Sequence, residues 1–290
     1  MSSAAEGRFH NVDVSSITNR PRRATLRTSD GVPIEALHEP CTAGLTDTAI
    51  VVAHGFTGAV DRPAVRRAAR VLTRYAAVVT FSFRGHGGSG GRSTVGDREV
   101  LDLAAAVAWA RSLGHRRVVT IGFSMGGSVV LRHAALYGKA SGERPGAAPG
   151  GPPGRQEART DACDARTDAV VAVSAPARWY YRGTAPMRRL HWVVTRPLGR
   201  LVGRYGLRTR IHHEDWDPVP LSPVESVPLI APCPLLIVHG DRDPYFPLDH
   251  PRMLAAAGPC ELWLEPGMGH AENAADDELL GRLAEWLVRA

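Results

Sequence analysis

The sequence has few cysteines, a single lysine and no long apolar run. The four cysteines are widely spaced and form no C-x-x-C pair, which argues against a metal or redox site and for reduced thiols. No run approaches the roughly 18 to 20 apolar residues that a membrane span requires. The first residues also lack the apolar block of a secretory signal. We therefore expect a cytoplasmic protein with no transmembrane segment, no metal and no cofactor.

The net charge of +6 comes almost entirely from arginine, since Lys139 is the only lysine among 35 basic residues. This ratio is more typical of an arginine-rich coding bias than of adaptation to nucleic acid. The chain has no zinc-finger spacing and no interleaving of aromatic and basic residues. We expect no nucleic-acid partner, and nothing in the sequence indicates the oligomeric state.

Short apolar runs separated by amphipathic stretches make up most of the 290 residues, enough for one large α/β domain. Residues 24–28 and 32–38 flank Ser29-Asp30-Gly31, an arrangement that predicts a β-hairpin. Further strands are predicted at residues 49–53, 77–81, 118–121, 169–173, 235–238 and 261–264. Short Val-, Ile- and Leu-rich strands alternating with helices indicate a mostly parallel sheet that is covered on both faces.

Two segments interrupt this alternation. Residues 138–168 almost lack large apolar side chains, so they cannot bury enough surface to offset the entropy of ordering, and we expect a disordered insertion. Residues 177–232 carry apolar residues at helical spacing and predict a small helical cap, with Pro197 kinking or splitting its helix. The predicted organisation is an N-terminal tail (1–23), a core (24–176 and 233–290) and the cap (177–232).

Arginines recur along the predicted cap. Arg196, Arg200 and Arg204 lie four residues apart, on a different face from the apolar residues. Two interpretations stay open. The cap could attract an anionic acyl substrate or an anionic membrane surface, or this could be a solvated helix face in an arginine-rich protein.

The segment Gly122-Phe123-Ser124-Met125-Gly126 has the pattern G-x-S-x-G and lies between a predicted strand and an apolar, helical stretch. A sharp strand-to-helix turn needs small residues beside the serine, because the backbone there is strained and strand and helix come close. The turn would present the Ser124 hydroxyl beside the free N–H groups of the helix start. Ser124 is therefore a candidate nucleophile of a hydrolase. The alternative is an ordinary Gly-Ser turn.

A serine nucleophile needs a base to take its proton and a third group to orient that base. Among the 12 histidines, His270 follows the last predicted strand in a Gly-rich turn, from which it can reach the carboxyl edge of the sheet. Asp243 follows the predicted strand at residues 235–238 and is the candidate acid. Asp241 is its rival, and for either aspartate the alternative is a role in a turn or a helix cap.

The loop His54-Gly55-Phe56-Thr57-Gly58 follows a predicted buried strand. Its glycines let the backbone approach a ligand closely. The N–H of Phe56 could pair with that of Met125 to stabilise the oxyanion of a tetrahedral intermediate. A simple turn at the end of a strand is the alternative.

Taken in this order, these segments resemble the α/β-hydrolase superfamily, especially its lipase, lysophospholipase and serine-aminopeptidase-like branch. H-G-F-x-G at residues 54–58 is similar to the family's oxyanion loop. Phe83-Arg84-Gly85-His86-Gly87-Gly88-Ser89 is similar to its R-G-x-G-x-S stretch. G-x-S-x-G matches the nucleophile elbow, H-G-x-x-D places the acid at Asp243 rather than Asp241, and Gly269-His270 matches the base. The order Ser, Asp, His is also the family's own.

The resemblance covers nearly all of the chain except the tail and the insertion. It implies an α/β-hydrolase fold, in which Arg84 and His86 shape their loop rather than perform catalysis and residues 177–232 are the cap. The insertion departs from the family, which usually connects quickly to the next strand. The cap resembles none that can be tied to a substrate, so specificity stays open.

We expect a cofactor-independent serine hydrolase that cleaves carboxylic ester or thioester bonds of a small-molecule acyl substrate through an acyl-enzyme intermediate. Amide, carbon–carbon bond and perhydrolase chemistry use the same residues on this fold and stay open. Ser124 disfavours haloalkane dehalogenases and epoxide hydrolases, which carry aspartate at this position. A non-catalytic binding protein that keeps the fold is the alternative from a different class.

Overall fold

The structure is a computed structural model that describes residues 20–45, 47–138 and 164–290. Residues 1–19 of the predicted N-terminal tail (1–23) lie outside the described residues. So do residues 139–163 of the predicted disordered insertion (138–168). The first strand begins at Arg22, inside the stretch that was assigned to the tail, because residues 22 and 23 extend the pairing of the hairpin.

Eight strands form one sheet. They are β1 (Arg22–Arg27), β2 (Pro33–Glu39), β3 (Thr48–Ala53), β4 (Ala77–Phe81), β5 (Arg117–Phe123), β6 (Val170–Val173), β7 (Leu235–Gly240) and β8 (Glu261–Glu265). Their order is β1-β2-β4-β3-β5-β6-β7-β8. The β1–β2 and β2–β4 pairs are antiparallel and the others are parallel. The predicted hairpin and the predicted mostly parallel sheet are therefore confirmed.

Helices follow most of the strands in the described ranges. They are α1 (Pro63–Leu72), α2 (Glu99–Ser112), α3 (Met125–Tyr137), α4 (Ala185–Thr195), α5 (Pro197–Tyr205), α6 (Pro223–Ser226), α7 (Asp249–Ala257), α8 (Ala271–Ala274) and α9 (Asp277–Arg289). A short 3₁₀ turn, Val227–Leu229, follows α6.

The sheet is buried on both faces, as its β3 strand illustrates. Ala49 and Val51 pack in a layer with α2 and α3, while Ile50 and Val52 pack in the opposite layer with α1 and α9. Because successive strand side chains point to opposite faces, a strand covered on both sides must be apolar throughout. The parallel strands share one carboxyl edge, so the loops after β3, β5, β7 and β8 lie at that edge.

Residues 177–232 form α4, α5 and α6 between β6 and β7. Arg196, the residue between α4 and α5, is extended, with φ −98° and ψ 141°. A residue before proline disfavours helical backbone because the proline ring crowds it. Of the two predicted outcomes at Pro197, a kink or a split, the structure has the split. The two helices pack against each other where Gly199 meets the backbone of Trp192.

Candidate active site

Ser124 occupies a strained turn between β5 and α3. Its φ of 53° and ψ of −114° lie in a region that side-chain-bearing residues rarely adopt. The Ser124 N–H donates to the Val173 carbonyl of β6 at 2.9 Å, which helps to fix the turn. A Cβ atom on Gly122 would collide with the Gly126 carbonyl, and one on Gly126 with the Ala53 carbonyl. Close backbone approach therefore requires glycine at both positions.

A chain of hydrogen bonds links Ser124, His270 and Asp243. His270 Nε2 lies 2.9 Å from Ser124 Oγ, and His270 Nδ1 lies 2.7 Å from Asp243 Oδ2. Because an ionised carboxylate only accepts hydrogen bonds, the Nδ1 of neutral His270 carries the proton. Nε2 is then free to accept the hydrogen bond of the serine hydroxyl. The structure thus brings the three side chains together.

The side chain of Asp243 is almost completely buried, being only 1% exposed. Burial alone would raise the pKa of its carboxyl group. The hydrogen bond from His270, the positive charge of that ring when it is protonated, and two backbone N–H groups outweigh burial, so this pKa is lowered. These N–H groups, from Tyr245 and Phe246, donate to Asp243 Oδ1 at 2.8 and 3.1 Å. The side chain therefore stays ionised and holds the His270 ring.

Asp241, the rival acid, has a different position. Its Oδ1 accepts the backbone N–H of Gly267 at 2.6 Å, and the residue is exposed. It therefore holds the turn that precedes His270. The structure thus separates two aspartates that residue patterns alone leave as alternatives.

Aromatic and backbone contacts fix the position of His270. The Tyr245 ring stacks on the imidazole, with centroids 4.3 Å apart and an interplanar angle of 30°. The following N–H, that of Ala271, donates to the buried Ser174 Oγ at 3.1 Å. The ring is therefore held from its Nδ1 side, from one face and through its own backbone.

Two backbone N–H groups lie unengaged beside the Ser124 turn. Among the described residues, neither the Phe56 N–H nor the Met125 N–H donates a hydrogen bond. Met125 is the first residue of α3, where N–H groups have no partner within the helix. Both residues line the same cavity as Ser124. They can therefore donate to an oxygen that develops negative charge there.

Buried histidines hold the Phe56 loop. His54 donates from Nδ1 to the Gly55 carbonyl at 2.6 Å and accepts the Phe83 N–H at Nε2 at 3.0 Å. Burial and the neighbouring His86 lower the pKa of His54 to about 3, so it is neutral as this pairing requires. His86 places Nε2 2.5 Å from the Phe56 carbonyl oxygen. The loops after β3 and β4 are therefore joined behind the site.

Arg84 is buried within the loop after β4. Its guanidinium donates to Asp30 at 2.8 and 3.0 Å and to Asp102 at 2.7 and 2.9 Å. Burial alone would lower the pKa of Arg84, but the hydrogen bonds and charges of the two carboxylates outweigh it and raise that pKa. His86 Nδ1 lies 2.9 Å from the Arg84 carbonyl. Arg84 thus connects its loop to the hairpin turn and to α2, away from Ser124.

Sequence reasoning missed Glu272. This buried residue follows His270 by two positions, and its Oε1 accepts the Gly55 N–H at 3.0 Å. In the sequence, an acidic residue in the first turn of a helix is typical of a solvated helix start. Only its position between His270 and the Phe56 loop shows that it connects two parts of the site.

A cavity of about 160 Å³ opens beside Ser124. Residues of the 177–232 segment form much of its wall, and aromatic side chains are frequent. The aromatic residues that line it are Phe56, Trp179, Tyr180, Tyr181, Trp216 and Phe246. The rings of Trp179 and Trp216 pack edge to face, with their centroids 5.0 Å apart. The charged residues that line it, Arg178, Glu214 and Asp215, are exposed, so the charged part of the wall lies toward solvent.

Within residues 20–45, 47–138 and 164–290, no three His, Cys, Asp or Glu side chains are grouped as a metal site would need. No helix in the same ranges has the length and apolar character to cross a membrane.

A family model described as the alpha/beta hydrolase family matches residues 50–281 of the sequence. The chain belongs to this family. The predicted α/β-hydrolase fold is thereby confirmed, with a sheet that is mostly parallel and helices on both sides. No curated protein matches the sequence significantly.

Solved structures with the same fold include esterases. The Pyrococcus furiosus esterase Pf2001 has a TM-score of 0.65 and 21% identity, over 99% of this chain and 98% of that one. Est1E from Butyrivibrio proteoclasticus, solved with ferulic acid bound, has a TM-score of 0.59 and 19% identity, over 92% and 98%. XC6422 from Xanthomonas campestris, a serine hydrolase without a lid, has a TM-score of 0.56 and 18% identity, over 93% and 94%. At these identities the likeness shows the fold.

Proposed function

We propose that the protein is a serine hydrolase that cleaves carboxylic esters through an acyl-enzyme intermediate. The observation that carries this proposal is the hydrogen-bond chain Ser124 Oγ–His270 Nε2 and His270 Nδ1–Asp243 Oδ2, at 2.9 and 2.7 Å. A serine, a base and an orienting carboxylate within hydrogen-bond distance are the parts that acyl transfer needs. Solved structures of the same fold that are named esterases support an ester substrate.

In this mechanism, Ser124 Oγ attacks the substrate carbonyl carbon and His270 Nε2 takes the hydroxyl proton. Asp243 stabilises the imidazolium that forms, and the N–H groups of Phe56 and Met125 donate to the oxyanion. His270 then gives the proton to the leaving alcohol, which departs and leaves an acyl-serine ester. Water attacks this ester with His270 again as the base, releasing the acid and restoring Ser124.

The cavity supports a compact, largely apolar acyl group. Its volume of about 160 Å³ is close to that of an apolar cavity that holds a benzene molecule. Its aromatic wall favours burial of a ring or of a short, branched hydrocarbon. In this proposal residues 177–232 act as the cap, since α4 places Met187 and Leu190 in the cavity wall.

Activity-based labelling combined with hydrolysis assays tests the proposal. A fluorophosphonate probe should modify the folded protein at Ser124, and short-chain p-nitrophenyl esters should be hydrolysed. Ser124→Ala should abolish labelling and lower turnover by about 10⁵- to 10⁶-fold. Heat-denatured protein is the control for non-specific labelling. Unchanged hydrolysis by Ser124→Ala would disprove the assignment. Absence of both labelling and hydrolysis in folded wild-type protein would favour a non-catalytic binding role.

A panel of matched thioester, ester and anilide substrates then identifies the bond that is cleaved. The hydrogen-bond chain serves all three reactions, so it does not rank them. We expect the oxygen ester to be the preferred substrate, with the anilide slowest. A preference for the anilide or the thioester would replace the ester assignment and leave the role of Ser124 intact.

A further inference from the structure

Helix α5 exposes its apolar face to solvent. Leu198, Leu201, Val202 and Tyr205 are 64%, 52%, 45% and 73% exposed, respectively. Their spacing of three, one and three residues places them on one side of the helix, and we call this set the apolar row. An amphipathic helix of a folded domain ordinarily directs this side to the core. In α5 the direction is reversed.

Two glycines hold the helix in this orientation. Gly199 and Gly203 are buried, and added Cβ atoms there would lie 2.7 Å from Val193 Cα and 2.9 Å from Ile211 Cδ1, respectively. Larger residues on this side would push α5 away from α4. The apolar row therefore faces outward, because the glycine side of α5 packs against α4 and Ile211.

The surroundings of the apolar row carry positive charge. Residues 182–210 contain eight arginines and no aspartate or glutamate. Among the described residues, none of these eight forms an ion pair with a carboxylate. Arg196 and Arg204 are exposed, and the guanidinium of Arg204 lies 5.5 Å from the ring centroid of Tyr205. Trp192 of the adjacent α4 is 44% exposed.

We propose that this face of α4 and α5 docks on an anionic lipid bilayer. Exposed leucine and aromatic side chains with arginines beside them form the pattern of a helix that lies in a membrane interface. The apolar row would enter the boundary between headgroups and acyl chains, while the arginines extend to lipid phosphates. A second copy of the chain is a poorer occupant, because pairing these faces would oppose two sets of unpaired arginines.

This docking would bring the proposed cap to the lipid surface. Val194 and Thr195 of α4 line the cavity, while Trp192 on the same helix is exposed beside α5. One helix thus contacts both the cavity and the proposed docking face. Docking requires only that this face binds lipid, so it does not depend on Ser124 being a nucleophile.

Flotation of the full-length protein with lipid vesicles tests the inference. Vesicles of phosphatidylcholine with phosphatidylglycerol should carry the protein to the top of the gradient, and vesicles of phosphatidylcholine alone should carry much less. High salt should weaken the binding, since lipid and protein charges are then screened. Ser124→Ala should bind like the wild type. Equal binding to the two vesicle types, or no binding to either, would overturn the inference.

Two double variants separate the contributions of the apolar row and the charge. Leu198→Ser with Leu201→Ser, and Arg196→Gln with Arg204→Gln, should each lower partitioning into the anionic vesicles by about 10-fold or more. Leu136→Ser is the matched control, because Leu136 is 54% exposed and lies on α3. Equal loss in this control would contradict the inference.

Two further measurements on the Leu198→Ser, Leu201→Ser variant test whether another part of the chain or a second copy covers the apolar row. Its melting temperature should equal that of the wild type, because the replaced side chains face solvent. A clear fall would show that another part of the chain covers the row. Sedimentation should show the same oligomeric state in both proteins, and a wild-type dimer that this variant dissociates would assign the face to self-association.

Discussion

Glu272 Oε1 accepts the backbone N–H of Gly55 at 3.0 Å, across 217 residues of sequence. This hydrogen bond joins the loop that carries His270 to the loop that carries Phe56. The carboxyl group is buried, and its second oxygen has no partner among the described residues. A buried carboxyl with an unsatisfied oxygen is costly, which favours a role in the site over one in stability alone.

We expect Glu272→Ala to lower kcat by about 10- to 100-fold with little change in KM, because a freed Gly55 N–H lets the Phe56 donor shift. Glu272→Gln should recover most of the loss, since its amide oxygen can accept the same N–H. Steady-state kinetics on a short-chain ester gives both values, and thermal unfolding shows that each variant is folded. Equal losses in Ala and Gln variants of wild-type stability would contradict the positioning role.

The two aspartates after β7 should behave differently on substitution. Asp243→Asn should lower kcat by about 10³- to 10⁴-fold, because an amide neither stabilises the imidazolium nor fixes its tautomer. Asp241→Asn is the matched control and should keep near-normal activity, since its amide oxygen can still accept the Gly267 N–H. Comparable losses in both variants would mean that turn geometry, rather than the charge of Asp243, controls the reaction.

The sequence predicts the sheet well because each buried strand is a short apolar run, and turns that contain glycine mark where many of these runs end. The turn at Ser124 is predicted equally well, since the glycines, the strand and the helix that define it are all close in sequence. Asp243 and Asp241 lie in the same loop after β7, and strand spacing does not predict which of them is buried beside His270; the resemblance to the family, through H-G-x-x-D, favours Asp243. Glu272 could not be found because its partner Gly55 is distant in sequence.

The orientation of α5 could not be predicted from the sequence. Helical spacing predicts Arg196, Arg200 and Arg204 on a different face from the apolar residues, but it does not predict which face is buried. The buried glycines Gly199 and Gly203 decide this, through contacts with α4 and with Ile211. Residues 139–163 of the predicted insertion (138–168) lie outside the described residues, so for this part the disorder stays a prediction.

Buried histidines make folding stability depend on pH. Burial lowers the pKa of His54 and of His133 to about 3, and that of His38 and His250 to about 4. Between these lowered pKa values and the ordinary histidine pKa of 6.5, these histidines bind protons in the unfolded chain but not in the folded chain. The free energy of unfolding therefore falls as the pH decreases, by about 1.4 kcal/mol per unit for each such histidine.

We expect His133→Gln to reduce this slope by about 1.4 kcal/mol per pH unit between about pH 6 and pH 4.5. His133 lies on α3 and stacks on Tyr137 at 4.7 Å, so its replacement also lowers stability uniformly. The slope distinguishes the two effects. Urea unfolding across this range measures it, with exposed His213→Gln as the control. A slope that His133→Gln leaves unchanged would show that this side chain is not buried in its neutral form.

Ser128 offers a test of what the cavity binds. It lies one turn after Ser124 on α3, lines the cavity and is fully buried. Its Oγ has no hydrogen-bond partner within the described residues. An unpaired buried hydroxyl costs about 1–3 kcal/mol, which a substrate that supplies the missing hydrogen bond would recover. In the proposed enzyme, the preferred acyl group would therefore carry one uncharged polar substituent on an otherwise apolar body.

Esters of benzoic acid and of the 2-, 3- and 4-hydroxybenzoic acids, with the same leaving group, test this prediction. Wild-type protein should prefer one hydroxylated isomer, and Ser128→Ala should lower kcat/KM for that isomer by about 10-fold while sparing the benzoate. Thr195→Val is the matched control, because Thr195 also lines the cavity but its hydroxyl already donates to the His191 carbonyl at 2.7 Å. If Ser128→Ala lowers kcat/KM equally for all four esters, the hydroxyl supports packing and does not contact the substrate.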